Sequence, residues 1–220
     1  MNIPDLLLPQ SLLWPANLAA VLLLAACIRH VPRQRLKAGL LHLWLVSCVA
    51  LMLVWSIKAG IKPGLDFHLL GATLLTLMFG PCLAIVALAV VLVGVTLAGT
   101  AGWMSLGINL LIMAALPVLF SYAVYSQAHY KLPRHVFVYV FLDAFFTAGL
   151  AICLSGVTAI LVLAGSGAYT LQFLGSNYLT YFILMGWPEA LLTGMAAMLM
   201  VVYRPQWLAT FSDELYLRNK

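Results

Sequence analysis

Charge is what this chain lacks most. Of its 220 residues only 8% are Asp, Glu, Lys or Arg, and just 6 are acidic. A soluble domain of this length needs a charged coat, and this sequence cannot make one. Cys27, Cys48, Cys82 and Cys153 each lie inside or beside an apolar run, and no CxxC pair exists. That excludes a zinc cluster or a disulfide framework and leaves the cysteines as small packing residues. No Lys or Arg precedes the first apolar stretch, so MNIPDLLLPQ does not begin a signal peptide. The amino terminus is expected to stay native, because the bulky Asn2 disfavours removal of Met1. There is no GxxxxGK[ST], HExxH or GxSxG, and no Cys–His pairing, so the chain reads as a non-enzyme with no ATPase of its own. Its basic residues sit in short loops and form no stripe, which argues against nucleic acid as a partner.

What is present is apolar length. Hydrophobic residues make up 65% of the chain, in runs at 12–28, 38–57, 68–98, 105–126, 136–164 and 176–203. The run at 68–98 would be about 46 Å long as one helix, against a hydrocarbon core of about 30 Å. Gly80-Pro81 lies in its middle, where proline cannot donate to a helix and disfavours helical geometry at the residue before it. The run is therefore one steep kinked span or two spans meeting at a tight turn. Positive loops face the cytoplasm and decide between these. With two crossings, the loop of Arg29, Arg33, Arg35 and Lys37, the loop of Lys131 and Arg134, and the end with Arg204, Arg218 and Lys220 all fall inside; only Lys58 and Lys62 fall outside.

The expected fold is thus all-α: a polytopic integral membrane bundle of about seven helices. A break is expected at Gly80-Pro81, with the amino terminus outside and the carboxyl terminus inside. It reads as a single domain over 1–220 in the cytoplasmic (inner) membrane, in contact with lipid. Residues 1–10 form an extracytoplasmic segment and 204–220 a cytoplasmic tail, whose Trp207, Phe211, Asp213 and Glu214 suggest an interfacial piece. A helix at 68–80 would reach only about 20 Å, and such short helices are tolerated at membrane depth where they line a cavity. His68 is expected to open it.

Ionisable and amide groups within spans are costly and tend to matter. Asp143, Glu189 and Asn109 are such groups, while His42 snorkels near an interface. His30, His129 and His135 lie in basic connections that suit headgroup or solvent contact. Asp143 and Glu189 fit a proton path, a helix-pairing device or a docking point for another subunit. The topology places the amine of Met1 on the same side as His68. A terminal amine, the next backbone amide and an imidazole make a nitrogen-rich set that suits square-planar Ni(II) or Cu(II).

Four ordered segments resemble the CbiM-type family, the membrane substrate-capture components of cobalt and nickel energy-coupling-factor transporters. These are Met1-Asn2-Ile3-Pro4-Asp5; Phe67-His68-Leu69-Leu70-Gly71 with Phe79-Gly80-Pro81; Leu106-Gly107-Ile108-Asn109 with Met113; and Pro188-Glu189-Ala190-Leu191-Leu192-Thr193. The resemblance implies seven helices, an amino-terminal helix outside the usual six, and metal ligands at Met1, Asn2 and His68. Where the family has His at its second position, this chain has Asn2; Leu6 replaces a glycine, and Asp66 stands in place of a small residue. Asp66 is an auxiliary carboxylate candidate, and Asn109 a supporting one. The function implied is uptake of a divalent transition metal ion, Co2+ or Ni2+, with no cofactor beyond that cargo. A transmembrane coupling subunit and cytoplasmic ATPases are the implied partners, and Ala16 and Ala20 have the spacing for close helix contact with such a subunit. A non-transporting membrane assembly protein is an alternative. So is a proton-coupled secondary transporter that uses Asp143 or Glu189.

Overall fold

The computed structural model describes residues 2–31, 40–57, 59–60, 62–99 and 101–216. Met1, Arg33, Arg35, Lys37, Lys58, Arg218 and Lys220 lie outside the described residues. The chain runs α1 (Gln10–His30), α2 (Leu40–Ser56), a two-stranded ribbon of β1 (Ala59–Gly60) and β2 (Asp66–Phe67), α3 (Ala72–Phe79) and α4 (Pro81–Leu97). It continues through α5 (Leu106–Lys131), α6 (Val138–Gly165) and α7 (Leu171–Tyr203) to a 3-10 turn at Pro205–Trp207 and α8 (Asp213–Tyr216). By length and composition α1, α5, α6 and α7 suffice to cross a membrane; α2 and α4 are apolar but shorter.

The apolar runs become helices because lipid offers no partner for a backbone N–H or C=O, and a helix satisfies both internally. The Gly80-Pro81 break falls where expected. Gly80 sits at φ 81°, ψ 169°, a conformation open to glycine, and Pro81 occupies the first turn of α4, where its missing N–H costs nothing. Two expectations nearby need correction. The broken helix opens at Ala72, with Gly71 at φ 66° before it, and His68-Leu69-Leu70 lies outside any helix or strand. An antiparallel ribbon pairing Ala59 with Phe67 and Gly60 with Asp66 precedes it, which an all-α reading did not contain. The loop expected at 165–175 is shorter too, since α7 already begins at Leu171.

The bundle buries α3 and α4 at its centre. Seven of the eight residues of α3 are buried, the exception being Leu74. Helix α1 packs on α4 and on the start of α5, with Ala16 and Ala20 both buried against these neighbours. They therefore face the chain's own core and are not open to a partner subunit. α6 and α7 cross at small residues: a Cβ on Gly149 would lie 3.1 Å from the Gly186 carbonyl, and one on Gly156 would run into the Phe182 ring. In the tail Leu208, Phe211 and Tyr216 are buried, and Ala209 and Thr210 hydrogen-bond to the last turn of α3.

Connections collect at two ends. Gly64 lies against Pro4 and Leu7, Gly102 lies against Asp5, and the Tyr169 hydroxyl donates to the Pro63 carbonyl at 3.0 Å. At the opposite end the tail meets the carboxyl end of α3: the Ala209 N–H donates to the Met78 carbonyl at 3.0 Å.

The contact between Gly156 and Phe182 sets a stability test. Gly156→Ala should destabilise the bundle by about 1–3 kcal/mol, because a methyl must displace a fully packed ring. Thermal unfolding in detergent should show a lowered midpoint, and adding Phe182→Ala should make the glycine substitution nearly silent.

Candidate metal centre

The chain's start is locked by side chains more than a hundred residues away. Asn109, buried near the start of α5, reads Ile3 as a strand partner would: its Oδ1 accepts from the Ile3 N–H at 2.9 Å and its Nδ2 donates to the Ile3 carbonyl at 3.0 Å. Asp5 Oδ1 accepts from the Ser105 N–H at 2.8 Å, within the turn that opens α5. Asn17 ties α1 to the same turn, accepting from the Gly107 N–H at 2.8 Å and donating to the Met104 carbonyl at 2.7 Å. Asn17 and Ser105 were not singled out from sequence. An Asn within an apolar helix, opposite the glycine that lets it approach, was the available signal.

This lock fixes where Asn2 sits. Asn2 is buried, and neither its Oδ1 nor its Nδ2 has a hydrogen-bond partner among the described residues. An unsatisfied buried amide costs about 1–3 kcal/mol per group, so the site favours a ligand that takes up one of these atoms. Met1, the other expected ligand of the amino terminus, lies outside the described residues.

The second arm of the site is the non-helical chain before α3. The turn 62–65 passes so close to the amino-terminal segment that a Cβ on Gly64 would lie 3.1 Å from Pro4 and 3.9 Å from the Ile3 Cα; Gly64 itself has φ 79°. Four residues later comes His68, buried, with its Nδ1 3.1 Å from the Leu69 carbonyl. The tautomer that donates there carries its proton on Nδ1 and none on Nε2. Trp55, fully buried at the end of α2, places its ring 4.6 Å from the imidazole and donates from Nε1 to the Leu70 carbonyl at 3.3 Å. Trp55 is a residue that sequence reasoning missed. Its signal was an indole at the end of an apolar run, where only burial with a partner suits the N–H.

Glu189 completes the arm. Its two carboxyl oxygens accept from the Leu70 N–H and the Gly71 N–H, each at 2.8 Å. These donors stand just before α3 and have no helical partner, so Glu189 caps a helix that starts inside the bundle. These bonds tie α7 to the chain before α3. Asp66 lies over Gly60 in the ribbon, and its carbonyl accepts from Tyr178 at 3.4 Å. Asp143 is elsewhere: it is buried in the π-helical opening of α6, near Tyr125, Tyr139 and Tyr216 at the tail end, and its Oδ1 has no hydrogen-bond partner among the described residues. Among the described residues no three His, Cys, Asp or Glu side chains converge on one point. A metal site built on His68 among these residues would therefore need donors other than a cluster of such side chains, for example amine, amide or carboxamide groups.

Partial burial raises the pKa of Asp5, but hydrogen bonds from the backbone and hydroxyl of Ser105 and from the Met104 and Trp103 N–H groups outweigh it and hold the carboxyl below 3.8. A depressed pKa stabilises the folded state above the ordinary carboxyl value, and that contribution fades as pH falls through the lowered one. Wild type should therefore lose about 2–4 °C of melting temperature on acidification below pH ~4 that Asp5→Asn does not lose. Calorimetric scans of both proteins across pH 3–6 would measure it.

Comparison with known proteins places this arrangement. Two crystal structures are similar in fold. One, of a truncated transition metal transporter, has a TM-score of 0.78 and 21% identity, covering 91% of this chain and 98% of that one. The other, of a transition metal transporter, has a TM-score of 0.79 and 21% identity, covering 91% and 92%. No curated protein matches the sequence. Residues 2–207, spanning both arms of the site and every long helix, match one family throughout, and the chain belongs to it: CbiM, the cobalt uptake substrate-specific transmembrane region.

Proposed function

We propose that this protein is the capture component of a transporter that takes up a divalent transition metal ion, cobalt or nickel, across the cytoplasmic membrane. The bundle crosses the bilayer seven times in this reading, with α3 and α4 as a short and a longer crossing that turn at Gly80-Pro81. The amino terminus faces outward and the tail inward, as the basic loops favour. The clustering of the amino-terminal segment with the loops around 62–66 and 101–105 supports this arrangement.

The observation that carries the reading is the buried, unpartnered carboxamide of Asn2, at the end of a segment locked from Ile3 onward and packed on the turn that leads to His68. The ligands proposed are the terminal amine of Met1, the backbone amide and side chain of Asn2, and His68 Nε2, with Asp66 as an auxiliary carboxylate. Asn109 and Asp5 hold the first arm, and Trp55 and Glu189 the second. A carboxamide oxygen in place of an imidazole weakens the preference for square-planar Ni(II) and favours an ion that accepts oxygen donors, such as Co(II). The chain carries no nucleotide-binding motif, so hydrolysis belongs to separate cytoplasmic ATPases, joined through a transmembrane coupling subunit. Glu189, with both oxygens engaged by the arm, suits a proton carrier poorly, which leaves Asp143 as the group on which a proton-coupled reading would rest.

Calorimetry of the purified protein with Co(II), Ni(II), Zn(II) and Cu(II) tests the site. Acetylating the terminal amine, or substituting His68→Ala, should each weaken binding by about 100-fold or more, beyond the effect of losing a supporting group. Binding that ignores both changes would reject this pocket. Asp66→Asn should weaken binding by less, about tenfold, if its carboxylate assists.

A further inference from the structure

We infer that the tail is a latch for the His68 arm, and that Thr210 positions His68 from the opposite end of α3. The metal consequence of this latch rests on the function proposed above; the mechanical link does not.

A helix of eight residues, about 12 Å long, leaves half of its carbonyls, those of the last four residues, without an intrahelical donor. Inside a membrane bundle those carbonyls must find protein donors. Thr76 finds one in the Gly80 N–H at 2.9 Å. The next two carbonyls are served by the tail. The Leu77 oxygen accepts from the Thr210 N–H at 3.3 Å and from the Thr210 hydroxyl at 2.9 Å, and the Met78 oxygen accepts from the Ala209 N–H. Residues more than 130 positions away thus finish α3.

The tail is held in turn. The Tyr125 hydroxyl donates to the Thr210 carbonyl at 2.9 Å, and the Tyr139 hydroxyl lies 2.7 Å from Thr210 Oγ1. Phe211 stacks on Tyr216 at 4.9 Å and packs on Tyr139.

At its other end α3 is continuous with the arm. Glu189 holds the Leu70 and Gly71 N–H groups, Trp55 holds the Leu70 carbonyl, and the Trp55 ring lies against His68. Both ends of α3 are bounded by glycines with positive φ, Gly71 and Gly80, where the backbone can turn without moving a Cβ through its neighbours. Between them the helix is a short rod, tied sideways through Thr73 Oγ1 and Ser121 Oγ at 2.8 Å. A shift of the rod along its axis breaks the tail bonds and the Glu189 bonds together. Pulling the tail away therefore frees α3, moves the arm and loosens the imidazole. A cytoplasmic partner that engages the tail would control release of the ion at the outer end.

Amide hydrogen exchange on the full chain in detergent, without metal, tests the link. Thr210→Val keeps shape and the backbone donor but removes both hydroxyl contacts; Thr210→Ser restores them. The latch expects exchange at Leu70 and Gly71 to quicken about three- to tenfold in the valine variant and to return in the serine variant. Faster exchange confined to the tail and Leu77–Gly80, or equal acceleration in every helix, would overturn it. Should Thr210→Val fail to fold, Tyr139→Phe removes one of the same contacts and is read in the same way. Cobalt titration then separates the two claims. Linked exchange with no metal bound by any variant leaves the latch standing and removes the capture reading. Unchanged exchange with normal cobalt affinity does the reverse. When both hold, the valine variant should bind cobalt about three- to tenfold more weakly.

Discussion

The structure depends on satisfying the backbone of one interrupted segment where water cannot reach. From His68 to Gly80 the chain is irregular, then helical for eight residues, then broken. A continuous helix would satisfy its own peptide groups; this segment cannot, and each stranded group in an apolar bundle costs several kcal/mol by order of magnitude. The rest of the molecule answers that requirement. Glu189 serves the donors before α3, Trp55 serves the carbonyl of Leu70, and the tail serves the carbonyls after it. The benefit is an imidazole set within the bundle rather than on its surface, carried by chain that can still change conformation at two glycines.

The same requirement explains what the sequence disclosed and what it hid. The helices were legible because lipid imposes length and hydropathy locally, and the Gly80-Pro81 break because proline acts on its immediate neighbours. The segment 68–71 looked like helix because its composition, His-Leu-Leu-Gly, does not differ from that of a span. Its non-helical form has its backbone donors held by Glu189, 119 residues beyond Leu70. The tail was read as interfacial from its mixture of aromatic and acidic residues, and its real partners, Leu77 and Met78, could not be inferred from local pattern. Ala16 and Ala20 show the ambiguity of small residues: the spacing announces close helix contact, but not whether the partner is another subunit or, as here, α4 and α5.

Of the site residues, Asn109 was recognisable as a polar group within a span, and Asn2 and His68 through the expected topology and the family resemblance. Trp55, Asn17 and Ser105 were not, since each acts by holding a backbone group and leaves no chemical signature of its own. An amino terminus is ordinarily a poor ligand because ordering a chain end opposes binding. Asn109 and Asp5 hold the segment from Ile3 onward, which would lower that cost at the site proposed above.

The two ends of the bundle are held by different chemistry, and this sets which end is held more weakly. At the amino-terminal end Asp5, with its depressed pKa, accepts several N–H bonds, and hydrogen bonds to a charged acceptor are about twice as strong as neutral ones. Asn109 adds a paired bond in both directions to a single peptide. At the tail end the links are neutral: tyrosine and threonine hydroxyls and peptide groups, each worth about 0.5–1.5 kcal/mol, set among stacked rings. Asp143 lies beneath them with an oxygen that contributes no bond among the described residues. Losing one contact of the tail therefore costs the fold less than losing one contact of the amino-terminal lock, and the tail end is the weaker of the two.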